Sequence, residues 1–254
     1  MAIGCSEKDA KLSADVLISA DLNGVDSHGV ARLAGYVRLF DHGRLNPKPD
    51  IKIIHETPST ATVDGDKGLG LVVAPFAMNV AKEKAEKVGS GWVSVQNSNH
   101  FGIAGYHSSL ALEKDMIGWA MTNAAPLVVP TFSKEKLLGT NPISVAIPAN
   151  EQPAFLADFA STAVAYGKME ILQRQGKPAP MGWVQDSEGK LTDNNNAVKE
   201  GGGLFTCLVA IESMEAIIRL TVFGLYSRYF SGVLSGANFG PWVPPFATRR
   251  IFTE

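Results

Sequence analysis

A histidine and an arginine four residues apart carry the first chemistry in this sequence. They lie in Asp26-Ser27-His28-Gly29-Val30-Ala31-Arg32, a segment predicted to open a helix, which puts His28 and Arg32 on one face. An arginine grips a carboxylate with two parallel hydrogen bonds. An imidazole titrates near neutrality, so it passes a proton to or from an adjacent hydroxyl or carbonyl oxygen. Together they suit a small carboxylate-bearing substrate. The alternative is a helix start capped by Asp26 or Ser27, with His28 and Arg32 in solvent.

Three further clusters fall at predicted junctions between elements. Asn97-Ser98-Asn99-His100-Phe101-Gly102 lies where a strand ends and a helix begins, a place where free backbone N–H groups meet ligands. His100 is a candidate acid/base or orienting group there, and His107, seven residues on, is expected to face the same way. Gly139-Thr140-Asn141-Pro142 is a rigid polar turn suited to a ligand wall. Asp158-Phe159-Ala160-Ser161-Thr162 offers a carboxylate, a small residue and hydroxyls at another strand-to-helix junction, as a nucleotide ribose or phosphate requires. Taken singly, each also reads as an ordinary turn or cap.

The elements that must hold these groups follow from periodicity. Ser6 caps a helix whose apolar face runs Leu12, Val16, Leu17, Ala20 and which stops at Asn23-Gly24. The helix opened by Asp26 continues through Leu33, Val37 and Phe40 to His42-Gly43. Strands are predicted at 60–64, 92–95, 117–122, 143–147 and 155–158. Asp64 to Gly68 is read as a turn. Helices are predicted at 73–88, 103–114 and 162–175. Strands and helices alternate irregularly, so the expected class is α/β: a mixed sheet with helices, in one domain over 1–254.

Composition narrows the functional classes. Across 254 residues, 45% are hydrophobic and 19% charged, with formal net charge −2, so no basic surplus points to nucleic acid or an anionic membrane. Two cysteines, Cys5 and Cys207, make no disulfide framework, and a reducing, cytoplasmic setting is expected. The apolar stretch 204–226 is interrupted by Glu212, Glu215 and Arg219, so no membrane span is predicted. The motifs G-x-G-x-x-G, Walker A, H-E-x-x-H and G-x-S-x-G do not occur. The five histidines have no recognised metal spacing, so no metal is expected, and a metal-dependent hydrolase ranks last.

In combination the clusters are far more specific. DSHGVARL (26–33), NSNHFGIAGYHS (97–108), LLGTNPISVAIP (137–148) and DFASTAVAYGK (158–168), with VDGDKGLGLVVA (63–74) between them, resemble the type-2 malate/L-lactate dehydrogenases. The match runs from about residue 6 to 203 and resumes at FSGVLSGANFG (230–240). The resemblance implies a family-specific, non-Rossmann NAD(P)-binding fold and a homodimer with its active site near the subunit contact. It implies hydride transfer between NAD or NADP and a small 2-hydroxy or 2-oxo acid such as malate or lactate. His28 and His100 become the implied acid/base residues and Arg32 the carboxylate grip. Asp158, Phe159 and Ala160 are implied to line the cofactor, with Asn123 nearby.

Measured against that family, the chain is expected to be truncated at both ends, and residues 204–229 depart from its pattern. There the family has a glycine-rich stretch, whereas this chain reads LFTCLVAIESMEAIIRLTVFGLYSRYF. A reading-frame slip accounts for the change if the codons of Ile211 to Ile217 yield Gly-Gly-Tyr in another frame. A second slip would restore register at Phe230, and the nucleotide sequence tests this. The rival expectation is a catalytically inactive homologue that only binds or dimerises.

Overall fold

The computed structural model of the chain describes residues 3–206 and the backbone of 245–249. Residues 207–244, which hold most of the departing segment and the resumed resemblance at 230–240, lie outside the described residues.

The described chain falls into two compact units, one formed by residues up to Thr122 with Ile143–Asp158 and the 245–249 strand, the other by Asn123–Pro142 and the chain from Phe159 on. In the first unit, Ser6 is extended and its Oγ accepts the Asp9 N–H, so α1 runs Glu7–Leu22 as its cap predicts. The next segment departs from expectation. Asp26–His28 and Val30–Arg32 are separate 3₁₀ turns, and an α-helix, α2, begins only at Leu33 and ends at Asp41.

Strands β1 (Lys52–Glu56), β2 (Thr60–Gly68), β3 (Ser90–Ser98), β4 (Met116–Met121), β5 (Ile143–Ile147), β6 (Phe155–Phe159) and β10 (Pro245–Arg249) make a seven-stranded sheet in the order β1-β2-β3-β10-β4-β5-β6. Only β2 and β3 run parallel among the pairs whose register is defined; β1–β2, β3–β10, β10–β4 and β4–β5 are antiparallel. A doubly wound nucleotide-binding sheet is parallel throughout its core, so this is a different architecture, mixed α/β as expected.

Helix α3 (Gly70–Val88) is the crossover between the two parallel strands and ends at Gly89 in the left-handed conformation. Its Val73, Ala74, Ala77, Met78, Ala81 and Ala85 are buried against Val63, Val93, Val95, Met116 and Ala120. Full burial of side chains such as Val or Met contributes about 1.5–3 kcal/mol each, so this helix–sheet layer is the main anchor of the unit. A smaller cluster joins Val16 and Leu17 of α1 to Tyr36 of α2 and to Leu45, Leu69 and Leu71. Asp64 to Gly68 is strand rather than simple turn, with an irregular register between Asp64 and Gly68 where Asp66 and Lys67 take positive φ. The predicted helix at 103–114 is α4 (Ala104–Ser109) followed by a 3₁₀ turn, because the chain must reverse at the left-handed Asp115 to enter β4.

The second unit has its own core, with Val128, Leu138, Val164, Met169, Val184 and Leu204 buried. Helix α5 spans Tyr166–Gln175, starting four residues later than predicted because Thr162 folds back to donate to the Val164 carbonyl. Strands β7 (Val184–Gln185), β8 (Leu191–Thr192) and β9 (Gly203–Leu204) form a small sheet ordered β8-β7-β9. Among the described residues, no helix is long and apolar enough to cross a membrane.

Candidate active site

Close backbone packing places His28 and Arg32. The Asp21 carboxylate accepts the Val30 N–H at 2.9 Å, and it occupies the space a Cβ on Gly29 would need, 1.8 Å from its Oδ1. A Cβ there would have to push that carboxylate aside, and the Gly29 backbone, at φ −85 and ψ −149, divides the predicted helix into two turns. His28 and Arg32 therefore do not meet by i,i+4 helical spacing. They meet through Ser27, which is buried: its Oγ lies 2.9 Å from His28 Nδ1, and its carbonyl accepts Arg32 Nε–H at 2.6 Å.

His100 arrives from the carboxyl end of β3. Its backbone abuts the first turn of α3, where a Cβ on Gly70 would lie 2.2 Å from the Asn99 carbonyl oxygen. The Asn99 side-chain amide ties this segment down by donating to the carbonyls of Lys67 at 2.7 Å and Gly68 at 3.1 Å. The His28 and His100 rings then stack, with centroids 5.5 Å apart and planes inclined by 23°. Sequence order gives no hint of this pairing.

Tyr36 was not singled out by sequence reasoning, although it follows Arg32 by four residues. It is buried on α2 with its hydroxyl 2.7 Å from His100 Nδ1, and the Gly102 N–H also points at that nitrogen, at 3.3 Å. His100 is exposed as a residue, while one face of its ring packs on His28 and its Nδ1 edge on Tyr36 and Gly102. Desolvation by this surround, reinforced by the charges of His28, Arg32 and His107, pushes the imidazole well below its ordinary pKa. Burial likewise keeps the Tyr36 phenol protonated, against the weaker pull of Arg32.

His107 does not share this edge. It is fully buried between Phe101 and Tyr106, with Nε2 2.7 Å from the Phe101 carbonyl, because α4 turns it into the core. Its place is under the His100 loop, as a brace. Asp158, at the end of β6, accepts the Gly105 N–H at 2.6 Å, and burial outweighs that bond to raise its carboxyl pKa. Phe159, Ala160 and Asn123 belong to the second unit. Phe159 is 47% exposed, which leaves an aromatic face uncovered. In the same unit Asn141 is buried with its Oδ1 on the Ala124 N–H, while its Nδ2 has no partner among the described residues.

The malate/L-lactate dehydrogenase family model matches residues 1–251. The malate dehydrogenase of Pyrococcus abyssi is 50% identical over 202 residues, covering 80% of this chain and 56% of that protein. The L-sulfolactate dehydrogenase of Methanocaldococcus jannaschii is 45% identical over 221 residues, covering 84% of this chain and 64% of its own length. The chain thus spans less than two thirds of either relative. Among solved structures, Pyrococcus horikoshii malate dehydrogenase matches with TM-score 0.82 at 37% identity, over 97% of this chain and 70% of that one. Sequence and fold agree that this chain belongs to the malate/L-lactate dehydrogenase family.

Proposed function

We propose that the protein is an oxidoreductase that transfers hydride between NAD or NADP and a small 2-hydroxy or 2-oxo acid, with malate or lactate as first candidates. The observation that carries this reading is the convergence of His28, Arg32 and His100 from separate chain segments, the two rings stacked at 5.5 Å and Arg32 tied by Nε–H to Ser27. In this reading Arg32 holds the substrate carboxylate, and the two histidines supply the polar hydrogens that the neighbouring carbonyl oxygen needs as it becomes a hydroxyl.

The residues fit a nicotinamide cofactor. The partly exposed Phe159 ring suits a flat heteroaromatic group, and Asn141 brings a buried amide donor in need of an acceptor. Asn123, Asp158, Phe159 and Ala160 are the residues proposed to hold it. When bound, the group supplies the hydride. The relatives named for malate and for sulfolactate support a hydroxy-acid substrate. We also place the protein in the cytoplasm as a homodimer.

The test is oxidation of NADH and NADPH by the purified chain with oxaloacetate, pyruvate, sulfopyruvate and related 2-oxo acids, alongside light scattering for the dimer. Turnover that is lost in His28→Ala supports the reading. A folded protein inert toward every acid and both cofactors sinks it.

A further inference from the structure

We propose that Tyr36 is a positioning residue: together with the Gly102 N–H it fixes His100 as the Nε2–H tautomer, so that the neutral ring offers a hydrogen-bond donor to the substrate carbonyl. The inference rests on the oxidoreductase reading for its substrate, and on local geometry for the rest.

The argument turns on what each group is able to do. A backbone N–H only donates, and Gly102 N–H faces His100 Nδ1 at 3.3 Å. A ring nitrogen that receives a donor must present its lone pair, so Nδ1 carries no proton. The Tyr36 hydroxyl, able to donate or accept, then has only the donor role open at 2.7 Å. With two donors on Nδ1, the proton of the neutral ring sits on Nε2, the nitrogen on the far side from Tyr36. Protonating the ring would set an N–H against the Gly102 N–H. It would also add charge beside His28, stacked on one face, and within the field of Arg32 and His107.

This divides the work between the two histidines. A neutral Nε2–H polarises a carbonyl by hydrogen bonding without surrendering its proton, since an imidazolate is too costly a product. The proton that completes the hydroxyl then falls to His28, whose Nδ1 is engaged by Ser27 Oγ at 2.9 Å. In the reducing direction a bound reduced nicotinamide would supply the hydride to the carbonyl carbon, and the His28 imidazolium would give its proton to the oxygen and be left neutral. His100 ends the step as it began.

The experiment is two-bond proton–nitrogen NMR of histidine-labelled protein, with His100 assigned by its loss in His100→Asn. The wild-type spectrum at pH 7 is expected to show the neutral Nε2–H form of His100, a result that needs no variant at all. Tyr36→Phe keeps the buried ring and deletes the donor. It is expected to raise the His100 pKa, to shift population toward Nδ1–H, and to lower kcat by about 10- to 100-fold, less than loss of a transition-state donor itself. KM for the acid should move far less, because Arg32 is untouched. An Nδ1–H or cationic His100 in the wild type overturns the proposal, as does a Tyr36→Phe protein with unchanged titration and kcat. Absence of turnover in the wild type would instead strike at the oxidoreductase reading, while the tautomer is still decided by the spectrum.

Discussion

Replacing Gly70 by alanine asks whether the start of α3 places His100. The added Cβ would lie 2.2 Å from the Asn99 carbonyl oxygen and 2.7 Å from both the carbonyl carbon and oxygen of His100. Relaxed contact needs roughly 3.5 Å, so the His100 segment must retreat by about 1 Å. All three obstructing atoms are backbone, which cannot rotate aside as a side chain does. Overpacking of this kind costs about 1–3 kcal/mol. At about 2–4 °C per kcal/mol for a chain of this size, Tm should fall by about 2–12 °C. A displacement of about 1 Å at a reacting group costs about 100-fold in rate, so kcat/KM should fall by about that factor. Gly89→Ala is the matched control: it is strained by φ +87, at about 1–2 kcal/mol, but meets no atom within 4 Å, so it should lower Tm by about 2–8 °C and leave kcat/KM alone. The assays are thermal unfolding and nicotinamide oxidation on both variants. Wild-type kcat/KM in Gly70→Ala, or an equal loss in Gly89→Ala, would refute the reasoning.

Other expectations follow from the same geometry. Arg32→Lys should raise KM for the acid with little change in kcat, because an ammonium cannot reproduce a two-pronged grip; steady-state kinetics with unchanged KM would count against that role. Ser6→Ala removes the acceptor of the Asp9 N–H and should cost about 1 kcal/mol, seen as faster amide exchange in the first turn of α1. Burial lowers the His107 pKa from 6.5 to about 4 in the folded protein, so the unfolded chain binds more protons between those values. The stability this group contributes is complete above pH 6.5 and is lost as pH falls to about 4, a change on the order of 3 kcal/mol. Asp158, raised in the folded state, acts with the opposite sign, so the comparison is denaturation of wild type against His107→Gln, whose curve should be flatter between those pH values.

The legible parts of this structure are those written in local periodicity. Helix α1 with its Ser6 cap, α3 with its Gly89 stop, and the strand Ile143–Ile147 sit where apolar spacing and turn residues put them. The 26–32 segment misled because its spacing is helical while its geometry is set by Asp21, a residue outside it that packs on Gly29. Strand β1 went unread because all five of its residues are exposed, so it carries no alternation to detect. His107 misled for the converse reason: its place depends on where α4 meets the core, a property of packing rather than of spacing. Tyr36 illustrates the limit most clearly. A tyrosine on a helix face has no chemical signature in sequence until a histidine from another strand is brought to its hydroxyl.

The strand order also governs how the molecule is made. Among the described strands β10 comes last in sequence, yet it lies between β3 and β4, near the middle of the seven-stranded sheet. Until it emerges, β3 and β4 each hold a row of backbone N–H and C=O groups with no partner, and such open edges recruit other chains. At about 5–20 residues per second the wait after β4 is about 6–25 s. Over that interval the open edges of β3 and β4 are exposed to pairing with other chains. Assembly of this sheet is thus timed by β10, whereas His28, Arg32, Tyr36 and His100 are all made before β4.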